Sequence, residues 1–392
     1  MYDFILFENQ WTAVNHCKDL TIIARLLKLG GYSVAIANCF HEREYCCDSQ
    51  FPIIDIQHTC NIEKNTLMHS KIWFVRVIGQ LLWRRKLNRF FRETITQLLP
   101  LTRNIYVGSY YPRLPTSVLT SIPKDKNIFI WGLRSFWFKR KTKSFFKFHE
   151  LNSLFLNYLV RHKDNIYFFV SDELIRKEFV ELGFSSRKLI IRRERVCEIS
   201  HPLCNRNQTG RNESFNLLTL GMLRRDKQIE RCINAVLHLG QEDINYIIAG
   251  RFHHDDGYHE LLKAQACGSD AIDFRIGWMS NEAFENTFDE ADFLVLCDKK
   301  QESCVSNGTM NEALLKFVPI IAPDYEPYNF YVNKYGVGIL YDLNDENALA
   351  SAIIKARQIG KRHFEANISN YISLLNINKV ATELRTQLDA VL

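Results

Sequence analysis

The chain has 392 residues, 46% hydrophobic and 24% charged, with a formal net charge of +6; that content excludes a disordered chain and suffices for two globular domains. No run reaches the ~18 apolar residues of a membrane span, and the N-terminal M-Y-D-F-I-L-F-E-N carries acids where a secretion signal carries bases, so a cytoplasmic protein is expected. The 11 cysteines contain no C-x-x-C pair and read as reduced core thiols rather than disulfides or zinc ligands, which makes the sequons at Asn207, Asn212 and Asn367 chance matches.

Residues 2–7 read as a strand, residues 17–29 as an amphipathic helix ended by Gly30 and Gly31, and residues 33–38 as a second strand. Further strands are predicted at residues 53–57, 104–108, 127–131 and 165–170. Short apolar strands alternating with helices imply right-handed crossovers and a parallel sheet, with ligand groups beyond the strand C-terminal ends. Those ends present Glu8 and His58, either of which suits a general base that takes a proton from an attacking hydroxyl; an ordinary structural role stays open for both.

Residues 71–163 hold about 19 basic and 3 acidic side chains, so the rest of the chain is acidic. Within this segment Trp83, Arg84 and Arg85, then Trp137, Lys139, Arg140, Lys141 and Lys143, interleave aromatics with cations, a composition that suits an anionic bilayer interface. A helix docked on the sheet explains the first stretch equally well.

Residues 201–214, H-P-L-C-N-R-N-Q-T-G-R-N-E-S, read as an interdomain linker that separates a first domain, 1–200, from a second, 215–365. In the second domain, strands are predicted at residues 215–220, 244–250, 272–276, 292–297 and 318–322, and a helix at 226–239. The helix repeats apolar residues at Ile229, Cys232, Ile233, Val236 and Leu237 and stops at Gly240. The last segment, 366–392, reads as helices.

Two constellations carry chemistry. L-L-T-L-G-M-L-R-R-D-K-Q-I-E places Arg224 and Lys227 after a strand and a glycine, at a helix start where cations oppose the dipole and need some compensating reason, such as a bound phosphate; a solvated basic helix start is the alternative. E-S-C-V-S-N-G-T-M-N-E-A-L-L-K-F-V-P-I-I-A-P gathers Ser306, Asn307, Gly308 and Thr309 at a turn before a helix, whose first N–H groups and positive dipole end suit an anion. Glu312 closes T-M-N-E, which also reads as a capping box started by Thr309. The cluster H-H-D-D-G-Y-H at 253–259 lacks the helical spacing of metal ligands and reads as a solvated loop.

E-A-L-L-K-F-V-P-I-I-A-P resembles the "EA…G.PVIA" element of GT-B glycosyltransferases of the family 4 type, keeping Glu312, Ala313 and Pro319. Cys304 stands where the first glutamate of the family's pair is usual, and S-N-G-T is closer to the N-S-G-T of capsule-type members. Gly221, Leu223 and Lys227 resemble the family's donor-phosphate loop, with Met222 at the usual arginine; Gly250 and Arg251 resemble its "ivG.G" turn. Residues 272–280 resemble the element whose backbone receives the base, which makes Arg275 a candidate. The resemblance implies an α/β GT-B architecture of two Rossmann-like domains facing across a cleft, with a C-terminal helix crossing back. It implies a nucleotide diphosphate-sugar donor held by Arg224, Lys227, the S-N-G-T turn and Glu312, either as ribose ligand or as cap, with no required metal or cofactor. The implied acceptor is a lipid-linked saccharide of bacterial surface polysaccharide assembly, used on the inner face of the cell membrane. A catalytically silent GT-B scaffold and, more remotely, a nucleic-acid-binding protein are the alternative readings.

Overall fold

The computed structural model describes residues 1–7, 14–39, 50–58, 73–109, 119–132, 158–159, 161–198, 214–252, 257–300 and 307–392. The expected linker, 201–214, lies outside them except for Ser214. The chain forms two compact units: residues 1–196 with 377–392, and residues 197–300 with 307–376.

In the first unit, β1 (Tyr2–Phe7), β2 (Val34–Asn38), β3 (Ile53–Asp55), β4 (Thr102–Ser109), β5 (Asn127–Trp131), β6 (Ile166–Val170) and β7 (Leu189–Ile191) build one parallel sheet in the order β3-β2-β1-β4-β5-β6-β7. The central strands are short apolar runs buried on both faces, as parallel sheets require when helices cover them, whereas the edge strand β3 leaves Ile53 47% exposed. Helix α1 (Val14–Leu29) contributes Leu20, Ile23, Ala24, Leu26 and Leu27 to the core on one face. Helix α2 (Trp73–Leu98) buries Leu87, Phe90, Phe91, Ile95 and Leu98. Helix α3 (Glu173–Glu181) is started by Asp172, whose carboxylate accepts from the Ile175 N–H at 2.9 Å.

The second unit repeats the plan. Strands β8 (Phe215–Leu223), β9 (Ile244–Phe252), β10 (Ile272–Ile276), β11 (Phe293–Val295), β12 (Ile320–Pro323) and β13 (Gly338–Tyr341) pair in parallel in the order β10-β9-β8-β11-β12-β13. Between them run α4 (Ile229–Leu239), α5 (Tyr258–Ala266), α6 (Asn281–Glu290), α7 (Gly308–Leu315), α8 (Tyr328–Tyr335) and α9 (Ala348–Ile359). The apolar stripe of α4 is buried at Ile229, Cys232, Ile233 and Val236, and Gly240 takes the left-handed conformation (φ 58°) that ends it. The helix expected from residue 226 starts instead at Ile229, because a 3-10 turn, Arg225–Lys227, occupies the approach.

The C-terminal helices part company. α10 (Glu365–Ser373) buries Ile368, Tyr371 and Ile372 in the core of the second unit, whereas α11 (Ile377–Asp389) sets Ile377, Val380, Ala381, Leu384 and Leu388 into the core of the first. The return to the first unit was expected from residue 366; it begins after Asn376, because the apolar face of α10 is already satisfied where it stands.

Candidate functional site

In the second sheet the strand order reverses between β8 and β11, and in an open parallel sheet such a switch point opens a crevice beyond the strand C-terminal ends. Both sequence constellations converge there. Gly250 on β9 holds φ 128°, and a Cβ placed on it would stand 1.9 Å from the Gly221 carbonyl oxygen of β8, so the two strand ends lie closer than any side chain permits. Gly221 in turn leaves 3.3 Å between its own notional Cβ and the Thr309 hydroxyl.

The carbonyl of Leu220 is the point on which the loops close. It accepts from the Lys227 ammonium at 3.3 Å and from the Thr309 hydroxyl at 3.5 Å, which places a cation of the β8 turn beside the first turn of α7. Lys299, just past β11, donates its N–H to the Asp226 carbonyl at 2.7 Å and ties the third loop to the same turn. The cap of α7 is Asn307, whose side-chain oxygen accepts from the Met310 N–H at 3.1 Å. Thr309 therefore lies inside the helix, and the capping-box reading of Thr309 with Glu312 is corrected: a box needs its threonine at the cap, one turn before the glutamate. Glu312 sits half-buried in mid-helix. Gly308 and Thr309 open α7, so their N–H groups stand at its positive end.

Beneath the crevice stands a residue that the motif reading missed. Asp298, 7% exposed, accepts from the Tyr328 hydroxyl at 2.5 Å, and the Asn307 amide donates to the same hydroxyl at 2.9 Å and to the carboxylate at 3.4 Å. Tyr325 donates its hydroxyl to the Asp298 carbonyl. The chain Asp298–Tyr328–Asn307 fixes the cap of α7 from below. The signal was present in F-L-V-L-C-D, a carboxylate closing an apolar strand, but no motif marks it. Burial pushes the Asp298 carboxyl above its usual range, with Lys227 pulling it back; burial pushes the Lys227 ammonium below the ordinary lysine value, with Asp298 opposing. Removing the carboxylate therefore lowers the lysine further. In Asp298→Asn, affinity for a nucleoside diphosphate should be lost on the alkaline side at a lower pH than in the wild type. A titration of uridine diphosphate binding against pH checks this; coincident alkaline limbs in the two proteins would disconnect Asp298 from Lys227.

The remaining candidates divide. Arg224 pairs with Asp226 at 3.0 Å in a partly solvated contact, and Arg225 lies over the Tyr258 ring at 5.0 Å. Arg251, past Gly250, lies over the Trp278 ring at 5.5 Å, and that ring is 83% exposed. Arg275 is held by carboxylates. Its guanidinium meets Glu290 through two bonds of 2.9 and 2.8 Å and Asp273 through one of 2.7 Å, so every nitrogen is engaged in clasping β10 to α6. The bonds to Glu290, ahead of those to Asp273, raise its pKa well above the usual arginine value. Ser306 and Cys304 lie outside the described residues. So do positions 253–256 of the histidine cluster; among the described residues, no group of three or more metal-binding side chains occurs.

In the first unit His58 follows β3, stacks on Phe90 with ring centroids 3.9 Å apart, and places Nδ1 3.6 Å from the Glu93 carboxylate, itself bonded to Arg89 at 3.0 Å. Glu8, Trp137, Lys139, Arg140, Lys141 and Lys143 lie outside the described residues, as does the side chain of Arg84. Trp83 and Arg85 stand on α2, which presents one outward stripe: Ile78, Leu81 and Leu82 in its earlier turns, then Arg85, Lys86, Arg89 and Arg92. Among the described residues, no helix is long and apolar enough to cross a membrane.

No protein-family model and no curated protein matches the sequence. Solved structures do. The chain is similar to a glycosyltransferase from Rickettsia africae (14% identity, 99% of this chain and 97% of that one, TM-score 0.67). It is also similar to HepE from Anabaena in complex with UDP (12% identity, 99% of each chain, TM-score 0.65) and to WaaG, a glycosyltransferase of lipopolysaccharide biosynthesis (11% identity, 98% of each chain, TM-score 0.66). With two doubly wound parallel sheets in one chain, these likenesses over the full length establish the GT-B architecture.

Proposed function

We propose that the protein is a glycosyltransferase that takes a sugar from a nucleoside diphosphate donor. The meeting of Lys227 and the first turn of α7 on the Leu220 carbonyl carries this reading, because it puts a cation and a helix N-terminus together at a switch point. As the glycosidic bond breaks, the diphosphate gains negative charge, and a fixed ammonium and fixed N–H dipoles stabilise it without reorganising. Arg224 adds a two-pronged donor when it exchanges Asp226 for phosphate. Glu312 is assigned to the ribose hydroxyls, and no metal or cofactor is required. HepE, a structural neighbour, has been solved with UDP and with UDP-glucose, which supports a nucleotide-sugar donor here. The test is a panel of nucleotide sugars scored by thermal shift and by slow donor hydrolysis: one or more should stabilise the protein and release the diphosphate. Silence across the panel, with the protein folded, would favour a scaffold without activity, a reading to which the exposed Met222 in place of the usual arginine contributes.

The acceptor is proposed to be a lipid-linked saccharide of the capsule or surface-polysaccharide type, met at the inner face of the cell membrane. The α2 stripe supports this, since apolar side chains followed by four cations match the acyl boundary and anionic headgroups. Replacing Arg85, Lys86, Arg89 and Arg92 with glutamine should release the protein from vesicles containing anionic lipid, at about 1 kcal/mol per charge. Co-sedimentation unchanged from wild type would remove α2 from the membrane face.

A further inference from the structure

The buried network beneath α7 has a direction, and that direction bears on the donor. Asp298 and Tyr328 are both buried, and the Tyr328 hydroxyl gives its single proton to the Asp298 carboxylate at 2.5 Å. The hydroxyl has only lone pairs left, so whatever meets it from Asn307 has to be a donor. The Asn307 amide nitrogen fills that role, 2.9 Å from the hydroxyl and 3.4 Å from the carboxylate. With its nitrogen turned toward Tyr328, the amide has only its oxygen to offer to α7, and that oxygen accepts from the Met310 N–H at 3.1 Å.

An apolar side chain at position 298 would impose no such order. The Tyr328 hydroxyl could then give its proton to the Asn307 oxygen, and the amide would turn its NH2 toward the Met310 N–H, donor against donor. An ionised carboxylate only accepts, and so it fixes the polarity of each group above it. The cap takes the Met310 N–H and leaves those of Gly308 and Thr309, which have no acceptor within the helix, at its positive end. Thr309 reaches the same Leu220 carbonyl as the Lys227 ammonium, so the helix end and the cation meet on one backbone atom. Two adjoining positive ends suit two linked phosphates better than one.

We infer that Asp298 and Tyr328 are positioning residues for the donor's leaving group: by holding Asn307 in its capping orientation they aim the Gly308 and Thr309 N–H groups at the second phosphate, and so set a preference for a nucleoside diphosphate over a monophosphate. The inference rests on the glycosyl-transfer reading. Both residues act through Asn307, and the preference is the quantity that reports them.

The experiment titrates uridine, adenosine and guanosine diphosphates and the matching monophosphates into the full chain by calorimetry. It reads, for the base that binds, the ratio of the two affinities, which a general loss of stability does not move. The wild type should favour the diphosphate. Tyr328→Phe, which keeps the ring in its core, should cut that preference about 5-fold, the factor that a helix cap is worth. Tyr325→Phe is the control. Tyr325 is likewise buried but gives its hydroxyl to the Asp298 backbone carbonyl rather than to the carboxylate, so its loss should lower the denaturant midpoint and leave the preference unchanged. A serine hydroxyl caps a helix without help from below, so in an Asn307→Ser background Tyr328→Phe should no longer change the preference. An unchanged preference in Tyr328→Phe, an equal loss in Tyr325→Phe, or a loss that persists in the Asn307→Ser background overturns the inference and leaves the donor reading standing. Should Tyr328→Phe not fold, Asn307→Ala carries the test: removing the cap has to give the same loss, and an unchanged preference overturns the inference. No binding of any of these nucleotides to the folded wild-type chain sinks the donor reading, and the positioning role with it.

Discussion

Lys227→Ala should weaken binding of a nucleoside diphosphate by about 1–3 kcal/mol, roughly 5- to 150-fold, while leaving the protein folded. The ammonium is half-buried, anchored on the Leu220 carbonyl, and held at depressed basicity by burial, which Asp298 only partly offsets, so the unliganded protein keeps a charge that desolvation disfavours. A diphosphate returns a full counter-charge to it in a site of low dielectric, where the attraction is strong. Arg224→Ala should cost less. Its guanidinium already has Asp226 and stands near solvent, so a phosphate there only replaces one anion by another. Calorimetry with uridine diphosphate separates the two. Wild-type affinity in Lys227→Ala would remove the phosphate assignment, and a larger loss in Arg224→Ala would relocate it to the outer part of the turn.

Gly250→Ala should destabilise the second unit by more than about 3 kcal/mol, read as a lowered denaturant midpoint, and should abolish donor binding at temperatures where the protein is still folded. A methyl at Gly250 would meet the Gly221 carbonyl at 1.9 Å, and φ 128° is a conformation alanine avoids. Either β8 and β9 separate at their C-terminal ends or both strand ends rotate. In both cases the Leu220 carbonyl moves, and with it the contact that joins Lys227 to Thr309. The replacement Gly240→Ala serves as a control: it also has positive φ, but at a helix end where no atom lies within 4 Å of the added carbon. Its loss should be stability only, about 1 kcal/mol, with donor affinity unchanged. If Gly250→Ala binds donor normally, the strand ends are not what shapes the site.

Much of the fold was legible because its determinants are local. Periodicity of 3.6 located α4, and apolar runs of 5–9 residues located β1, β5, β8 and β10. Of the short strands, β3, β11 and β12 were expected and β7 and β13 were not. The residues of the donor turns were legible as types, glycine where backbones touch and cations where anions dock. Their partners were not. That the three nitrogens of Arg275 meet Glu290 and Asp273 is not written in its neighbours, nor is it written in T-M-N-E that Asn307 rather than Thr309 caps α7.

What the sequence alone determined is the alternation of strand and helix, twice over, and the kinds of side chain placed at the strand ends. These follow from burial of apolar periodicities and from the conformational freedom of glycine, both properties of neighbouring residues. What only the tertiary structure decided is which of those side chains share a charge: Lys227 with Asp298, and Arg275 with Glu290 and Asp273. Electrostatic pairing depends on distances of a few ångströms between segments tens of residues apart, and no local pattern encodes that distance.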